Sequence, residues 1–443
     1  MAFSTIPALP RYTNFAGRAV TASAVPFGAV MAFHHHQLAN GLTILGETNP
    51  AALSAAVAFW VRTGSRDEAA AESGVSHFLE HMVFKGTPRR DAFAVNRDFS
   101  HIGADNNAWT SEENTVFHAI VLPEFLAEAV DIQADVLRPS LRGEDFDTEK
   151  KVILDEIVRY EVQPGWAVYD LARKNFYDGH PLGNSVLGTT ESVTALSRDQ
   201  MADYFGRRYV ASNILAVAAG HFDWAAFVRM IEKACGEWPN GTPGRTNRTE
   251  TPGAGGMHIM TKPREKVAQQ YVALIAAAPP ADDPLGYAAS IVATVVGDYT
   301  GSRLFWALTD PGLADEAGMG TDECEAAGAY YTSFSGDPET SVECYEIVRG
   351  VLADVQANGI TSDEFQQAKT KILSRELRAG ERTHRRLSTV AKDWVYRGEY
   401  RSVDDELAAW DAVTMADVKA VLERYPITSQ TVTAYGPLER IDG

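Results

Sequence analysis

Cysteine is scarce in this chain. Cys235, Cys324 and Cys344 are the only three among 443 residues. An odd number without any Cys-x-x-Cys spacing excludes a disulfide framework and predicts a reducing, cytoplasmic setting. Buried small hydrophobes are the default role for such thiols. Basic residues are also in deficit: 40 Lys and Arg stand against 59 Asp and Glu, a formal charge of −19. That balance excludes a general nucleic-acid or membrane surface. It suits basic peptides, although acidity also serves plain solubility. No run approaches the roughly 18 apolar residues of a membrane span. The opening Met1-Ala-Phe-Ser-Thr5 lacks a basic segment followed by an apolar one, so no signal peptide is expected. The glycine-rich stretches at 253–256 and 318–320 are not followed by Lys-Ser/Thr, which excludes a phosphate-binding loop.

The length fits two domains of about 200 residues each. Residues 1–30, rich in Ala, Pro and Thr, read as an N-terminal arm. Residues 31–235 open with two strands, at 42–46 and 54–63, whose pattern predicts a sheet covered on one face. Helices are predicted near 74–84, 91–102, 123–137, 146–161 and 224–235. Strands are predicted at 107–110, 115–122 and 214–219. The stretch 236–256 is polar and turn-rich and reads as a linker. From 257 to 443 the order of strands followed by helices begins again. The fold class expected is α+β. It comprises two related domains, each a mostly antiparallel sheet packed against helices, forming a clam-like chamber.

The chemistry concentrates in His77-Phe-Leu-Glu80-His81. On a helix, residues four apart share a face, so His77 and His81 can reach one ion. Glu80 flanks that face. The order is the inverse of the commoner zinc-protease motif. Two imidazoles leave zinc in need of a third protein ligand and a water. Glu80 would take the water proton and pass it to the leaving amine. The helix at 146–161 offers Glu149 and Glu156, seven apart and on one face. Either is a candidate third ligand, against a bland reading as two solvated glutamates. His34-His35-His36 has no acidic partner and reads as a surface turn or lid contact.

The stretch from His77 to Thr87 resembles the inverzincin zinc metallopeptidases, namely pitrilysin, insulin-degrading enzyme and the mitochondrial processing peptidases. The resemblance extends to Leu38-Ala-Asn-Gly-Leu42, Gly64-Ser-Arg-Asp-Glu68, Asn107-Ala-Trp-Thr-Ser111 and His180-Pro-Leu-Gly183. It continues in the second half with Ser302-Arg-Leu-Phe305 and 363–369. It implies Zn2+ as cofactor, held by His77, His81 and Glu156. Glu80 is then the general base, and Glu149 supports a ligand. The resemblance further implies that an extended peptide pairs with the strand at Asn107, Ala108 and Trp109. Trp109 has core packing as an equal alternative.

One departure bears on partners. The family carries an Arg and a Tyr in the second half, and the matching stretch here places Thr309 and Asp315 at those positions. An aspartate repels a developing oxyanion. The favoured explanation is a heterodimer in which a homologous subunit supplies the Arg/Tyr pair, with a homodimer also possible. Compensation by Arg303, Tyr330, Tyr331, His384 or Arg385 is a second explanation. The alternative function is a catalytically weak or inactive structural subunit of a larger complex.

Overall fold

Every residue from Ala55 to Val61 is apolar and buried. A strand of that kind must be covered on both faces, since its side chains alternate between them. The structure, a computed structural model, describes residues 31–243, 245 and 255–442. The arm expected at 1–30, and residues 244 and 246–254 of the expected linker, lie outside the described residues.

The first lobe runs β1 (Ala32–Gln37), β2 (Thr43–Thr48), β3 (Ala55–Val61), α1 (Val75–Val83), α2 (Ala92–His101), β4 (Asp105–Thr110) and β5 (Thr115–Val121). It continues with α3 (Leu126–Val136), α4 (Gly143–Glu161), α5 (Pro164–Phe176), α6 (Thr190–Ala195), α7 (Arg198–Arg208), β6 (Ile214–Gly220) and α8 (Trp224–Cys235). The second lobe runs β7 (Met257–Thr261), β8 (Gln270–Ala278), α9 (Gly286–Gly297), β9 (Glu316–Cys324) and β10 (Ala327–Gly336). It ends with α10 (Pro338–Asn358), α11 (Ser362–Gly380), α12 (Thr383–Arg397), α13 (Val403–Ala412), α14 (Met415–Arg424) and β11 (Gln430–Gly436).

The first sheet has the order β1-β2-β6-β3-β5-β4 and the second β7-β11-β8-β10-β9. Apart from β1 the two are the same arrangement. Each is antiparallel except for one parallel pair, β2 with β6 and β7 with β11. Side-chain details repeat as well. Lys150 Nζ on α4 donates to the carbonyls of Thr194 and Leu196 at the end of α6, at 3.0 and 2.6 Å. Lys369 Nζ on α11 donates to those of Asp411 and Val413 at the end of α13, at 2.6 and 3.5 Å.

The lobes exchange helices. Val168, Ala172 and Phe176 of α5, from the first half, pack on Ala273, Ile275 and Ala329 of the second sheet. Leu387, Val390, Ala391 and Val395 of α12, from the second half, pack on Ala56, Ala58, Trp60 and Val217 of the first. The expectation of a sheet covered on one face is therefore corrected. The other face of β3 carries Val57, Phe59 and Val61 into the core beneath α1 and α3. Each Leu or Val buried in this way contributes about 1.5–3 kcal/mol.

Charged groups seal the seam. Glu47 on β2 accepts from Arg386 on α12, Nε to Oε1 at 2.9 Å. Arg66 pairs with buried Glu113, which also accepts from Tyr396 Oη at 2.8 Å. Arg245 bridges Asp67 at 2.7 Å and Glu325 at 2.9 Å.

His34-His35-His36 forms part of strand β1 rather than a turn. The His34 ring stacks on Trp224 and the His35 ring lies against Trp394. All three cysteines are free and buried. Among the described residues no helix is long and apolar enough to cross a membrane.

Candidate metal centre

Helix α1 is set by its first turn. Glu68 accepts the backbone N–H groups of Gly74 at 2.7 Å and Ser76 at 2.8 Å, satisfying donors that a helix start leaves free. Gly74 has φ +91°, and a Cβ there would meet the Leu187 carbonyl oxygen at 2.6 Å. Only glycine lets the chain turn into α1 at that spot. Val75, Phe78, Leu79, Met82 and Val83 then anchor one side of the helix in the core. His77 and His81 are left facing α4.

Helix α4 completes the cluster. Phe146, Ile153 and Ile157 fix it against the first-lobe core. Phe146 stacks on Phe78 of α1 with centroids 4.8 Å apart. Glu149 and Glu156 lie on the side that meets α1. His77 Nε2 is 3.9 Å and His81 Nε2 3.6 Å from Glu156 Oε2. Ligand atoms of these three residues all lie within 4.8 Å of one another. Ligands about 2.1 Å from a tetrahedral zinc are separated by about 3.4 Å, so the set fits that ion with small adjustments. Among the described residues no other group of His, Cys, Asp and Glu converges this closely.

The surroundings suit a cation. Burial and the neighbouring His81 push the His77 imidazole down to about 3, so it is neutral and offers a lone pair. Burial also lowers His81, but the hydrogen bond to Glu149 and the carboxylates of Glu156 and Glu80 outweigh it and hold it above its ordinary value. The same negative field would favour a metal ion in place of that proton. Glu149 Oε1 lies 2.8 Å from His81 Nδ1 and Oε2 lies 2.5 Å from Lys85 Nζ. A carboxylate at Nδ1 places the proton there and leaves Nε2 to bind. Burial raises the Glu149 carboxyl, but His81 and Lys85 overcome it and keep it below the usual range. His77 Nδ1 is buried without a hydrogen-bond partner among the described residues.

Glu80 stands beside the cluster. Thr110 Oγ1, on β4, donates to its Oε2 at 2.6 Å. Burial raises the Glu80 carboxyl above its ordinary value, and the Thr110 bond and His81 oppose the rise. A carboxylate raised in this way is suited to take and return a proton.

Among the described residues β4 is the outermost strand of its sheet and pairs only with β5. Its side chains alternate. Ala108 packs on the core beneath α1, and Thr110 meets Glu80 on the same face. Trp109 faces the other way, edge-on to Trp60 at 5.3 Å, and Asn107 shares that orientation by alternation. Asn107 is exposed, and its Oδ1 accepts the Ala108 N–H at 2.9 Å. The side chains of Asn107 and Trp109 thus project away from the cluster, and only Ala108 shares its face.

The candidates for the missing Arg/Tyr pair are spread across the second lobe. Arg303 is tied to Asp354 and Glu364, at 2.6 and 2.7 Å. Tyr330 is buried in the second core, Tyr331 packs on Tyr169, and the His384 ring packs on His118. Arg385 lies exposed on α12. Thr309 ends a π-helical turn, and Asp315 accepts from Gln269 Nε2 at 2.5 Å.

Three contributors escaped the sequence reading. Thr110 is separated from Glu80 by thirty positions in sequence, so no spacing rule joins them. Lys85 follows His81 by one helical turn, and its position was a usable signal. The third is a cavity of about 380 Å³ lined by Trp166, Tyr169, Tyr271, Tyr331 and Phe334. The Tyr160 ring, one turn past Glu156, leads to it through Trp166 at 5.4 Å.

Two family models match successive parts of the chain, the second beginning within the first lobe, ahead of α7. Residues 43–190 match the model of the insulinase family, peptidase family M16, and residues 195–372 match the model named peptidase M16 inactive domain. A Streptomyces coelicolor protein named as an uncharacterized zinc protease is 31% identical over 411 residues, spanning 91% of this chain and 89% of its own. A Bacillus subtilis protein of the same description is 30% identical over 386 residues, spanning 86% and 93%. Among solved structures, a putative M16-like peptidase from Alicyclobacillus acidocaldarius superposes with a TM-score of 0.80 at 23% identity, covering 91% of this chain and 98% of its own. A Helicobacter pylori protease superposes with a TM-score of 0.84 at 18% identity, covering 92% and 100%. The chain belongs to the M16 peptidase family.

Proposed function

We propose that this M16 chain is a zinc-dependent endopeptidase acting on short or unfolded peptides. The observation that carries the reading is the convergence of His77, His81 and Glu156 with Glu80 at their side. His77, His81 and Glu156 would hold the ion. Zinc bound there supplies a Lewis acid that polarises a water and the scissile carbonyl. Glu80 takes the proton of the attacking water and returns it to the leaving amine, with Thr110 steering the carboxylate. Glu149 and Lys85 orient His81.

The open edge of β4 receives the peptide as an added strand, through main-chain hydrogen bonds at Asn107, Ala108 and Trp109. That mode demands an extended backbone and little particular sequence. The aromatic cavity beyond Tyr160 favours an apolar side chain along the bound peptide. Residues 31–235 form the catalytic domain, 257–443 the related second domain and 236–256 the link between them.

Thr309 and Asp315 leave the chain without the donors its family places there. A homologous subunit supplying an Arg/Tyr pair completes the site in this reading, and Asp315, already accepting from Gln269, adds no donor. The test is cleavage of an unstructured peptide by the zinc-loaded chain, alone and with its co-purifying partner. Activity that is abolished by a chelator and restored by zinc supports the reading. Activity only with the partner supports the shared site. No cleavage in either preparation contradicts both and favours a structural subunit.

A further inference from the structure

The second lobe keeps the plan of the metal-bearing lobe but not its ligands. α9 stands where α1 does, β9 where β4 does and α11 where α4 does. The contact between Ser290 Oγ and Thr321 Oγ1, at 3.4 Å, takes the place of the Glu80–Thr110 hydrogen bond. No histidine occurs on α9 or α11. Between these elements and α12 lies a cavity of about 470 Å³.

Its walls carry an unbalanced set of charges. Arg386 is taken up by Glu47. Arg397 and Arg401 reach Glu406 at 3.5 and 3.6 Å, and both donate to Tyr287 Oη. Glu323, exposed, and Glu376, half-buried, line the same cavity with no side-chain hydrogen bond or close ion pair among the described residues, although Arg397 and Lys392 act on Glu323, and Arg385 and Arg386 on Glu376, from further off. Asp393 is only 8% exposed, and its Oδ2 has no hydrogen-bond partner among the described residues. Its other oxygen is 3.6 Å from Arg397. Lys392 is the remaining cation on the wall, and it is exposed.

Burial pushes the Asp393 carboxyl up to about 7 and raises that of half-buried Glu376. Of these carboxyls Asp393 alone is buried, and its unpaired Oδ2 costs stability that a bound cation would offset. These carboxyls do not converge at metal-ligand distances. They suit a cation that brings its own hydrogen-bond donors. Tyr287 and Trp410, edge-on at 4.7 Å, offer an aromatic wall for its alkyl part.

We propose that this cavity is a second ligand site, separate from the metal centre, and that it binds an alkylammonium group. A lysine side chain of a peptide and a free polyamine both present that chemistry. The site holds the group between Glu323, Glu376 and Asp393, with the aliphatic chain against Tyr287 and Trp410.

The test is calorimetric titration of the zinc-loaded full chain with three probes. Nα-acetyl-L-lysinamide and spermidine carry the ammonium, and Nα-acetyl-L-norleucinamide matches the first in length without the charge. Saturable binding of an ammonium probe at roughly 1 mM or tighter, with none for norleucinamide, is expected. The tighter of the two ammonium probes identifies the source. Glu323→Gln combined with Glu376→Gln should weaken binding by about tenfold or more, the loss of a charge-assisted hydrogen bond. Asp393→Asn should do the same, and if that buried variant fails to fold, the double variant decides. Glu156→Gln should leave binding unchanged. Equal binding of norleucinamide, no binding of either ammonium probe, an unaffected double variant, or loss of binding on Glu156→Gln each overturns the proposal.

Discussion

Glu149 Oε1 lies 2.8 Å from His81 Nδ1, and through that bond a residue on α4 sets the orientation of an imidazole on α1. The same carboxylate holds Lys85 with its other oxygen. Removing it frees the His81 ring and removes the reason for its tautomer.

Glu149→Ala is therefore expected to weaken zinc binding by about 10–100-fold while leaving the fold intact. A competition titration against a chromophoric chelator measures it. Peptidase activity should recover as free zinc is raised. A variant with unaltered affinity would remove Glu149 from the site.

Thr110 opposes the burial that raises Glu80. Thr110→Val removes the donor and keeps the shape of the side chain. The Glu80 carboxyl should then rise further, so a higher pH is needed to obtain its basic form. The acidic limb of the kcat/KM profile should move to higher pH, with the metal content unchanged. A limb that stays in place, or moves to lower pH, contradicts the assignment.

The exchanged helices make the lobes depend on each other. Leu387 of α12 is 2% exposed and packs on the sheet of the opposite lobe. Leu387→Ala should destabilise the chain by about 2–5 kcal/mol. Glu47→Gln strands the buried Arg386 and should cost about 3–5 kcal/mol. Urea unfolding followed by both fluorescence and circular dichroism should give one shared transition, shifted down in each variant. Two separate transitions would show that the lobes fold independently.

Much of the candidate metal centre is readable from spacing alone. Four residues on a helix place His77 and His81 together, and seven place Glu149 with Glu156. Which of those two glutamates faces both Nε2 atoms is decided by the way α4 packs on α1, and spacing does not carry that. The helix exchange was not legible either, because the apolar face of α12 is satisfied equally by either sheet. Strand β9 is hard to read from sequence for a different reason. Residues 316–324 read Glu-Ala-Gly-Met-Gly-Thr-Asp-Glu-Cys, with few β-branched or aromatic side chains, and pairing to β10 rather than propensity makes them a strand. His34–His36 reads as a surface turn until Trp224 and Trp394 are seen to receive its rings.

In the proposed mechanism Glu80 moves the proton while His77, His81 and Glu156 hold the ion. Glu80→Gln separates the two roles, since the amide keeps the shape and loses the base. Zinc content and hydrolysis of an unstructured peptide should be measured on the same preparation, with the wild-type chain as reference and any co-purifying partner retained. An unchanged one-to-one zinc content and a turnover lower by about 10²–10⁴-fold are expected. Turnover that survives in a fully zinc-loaded Glu80→Gln chain would contradict that mechanism.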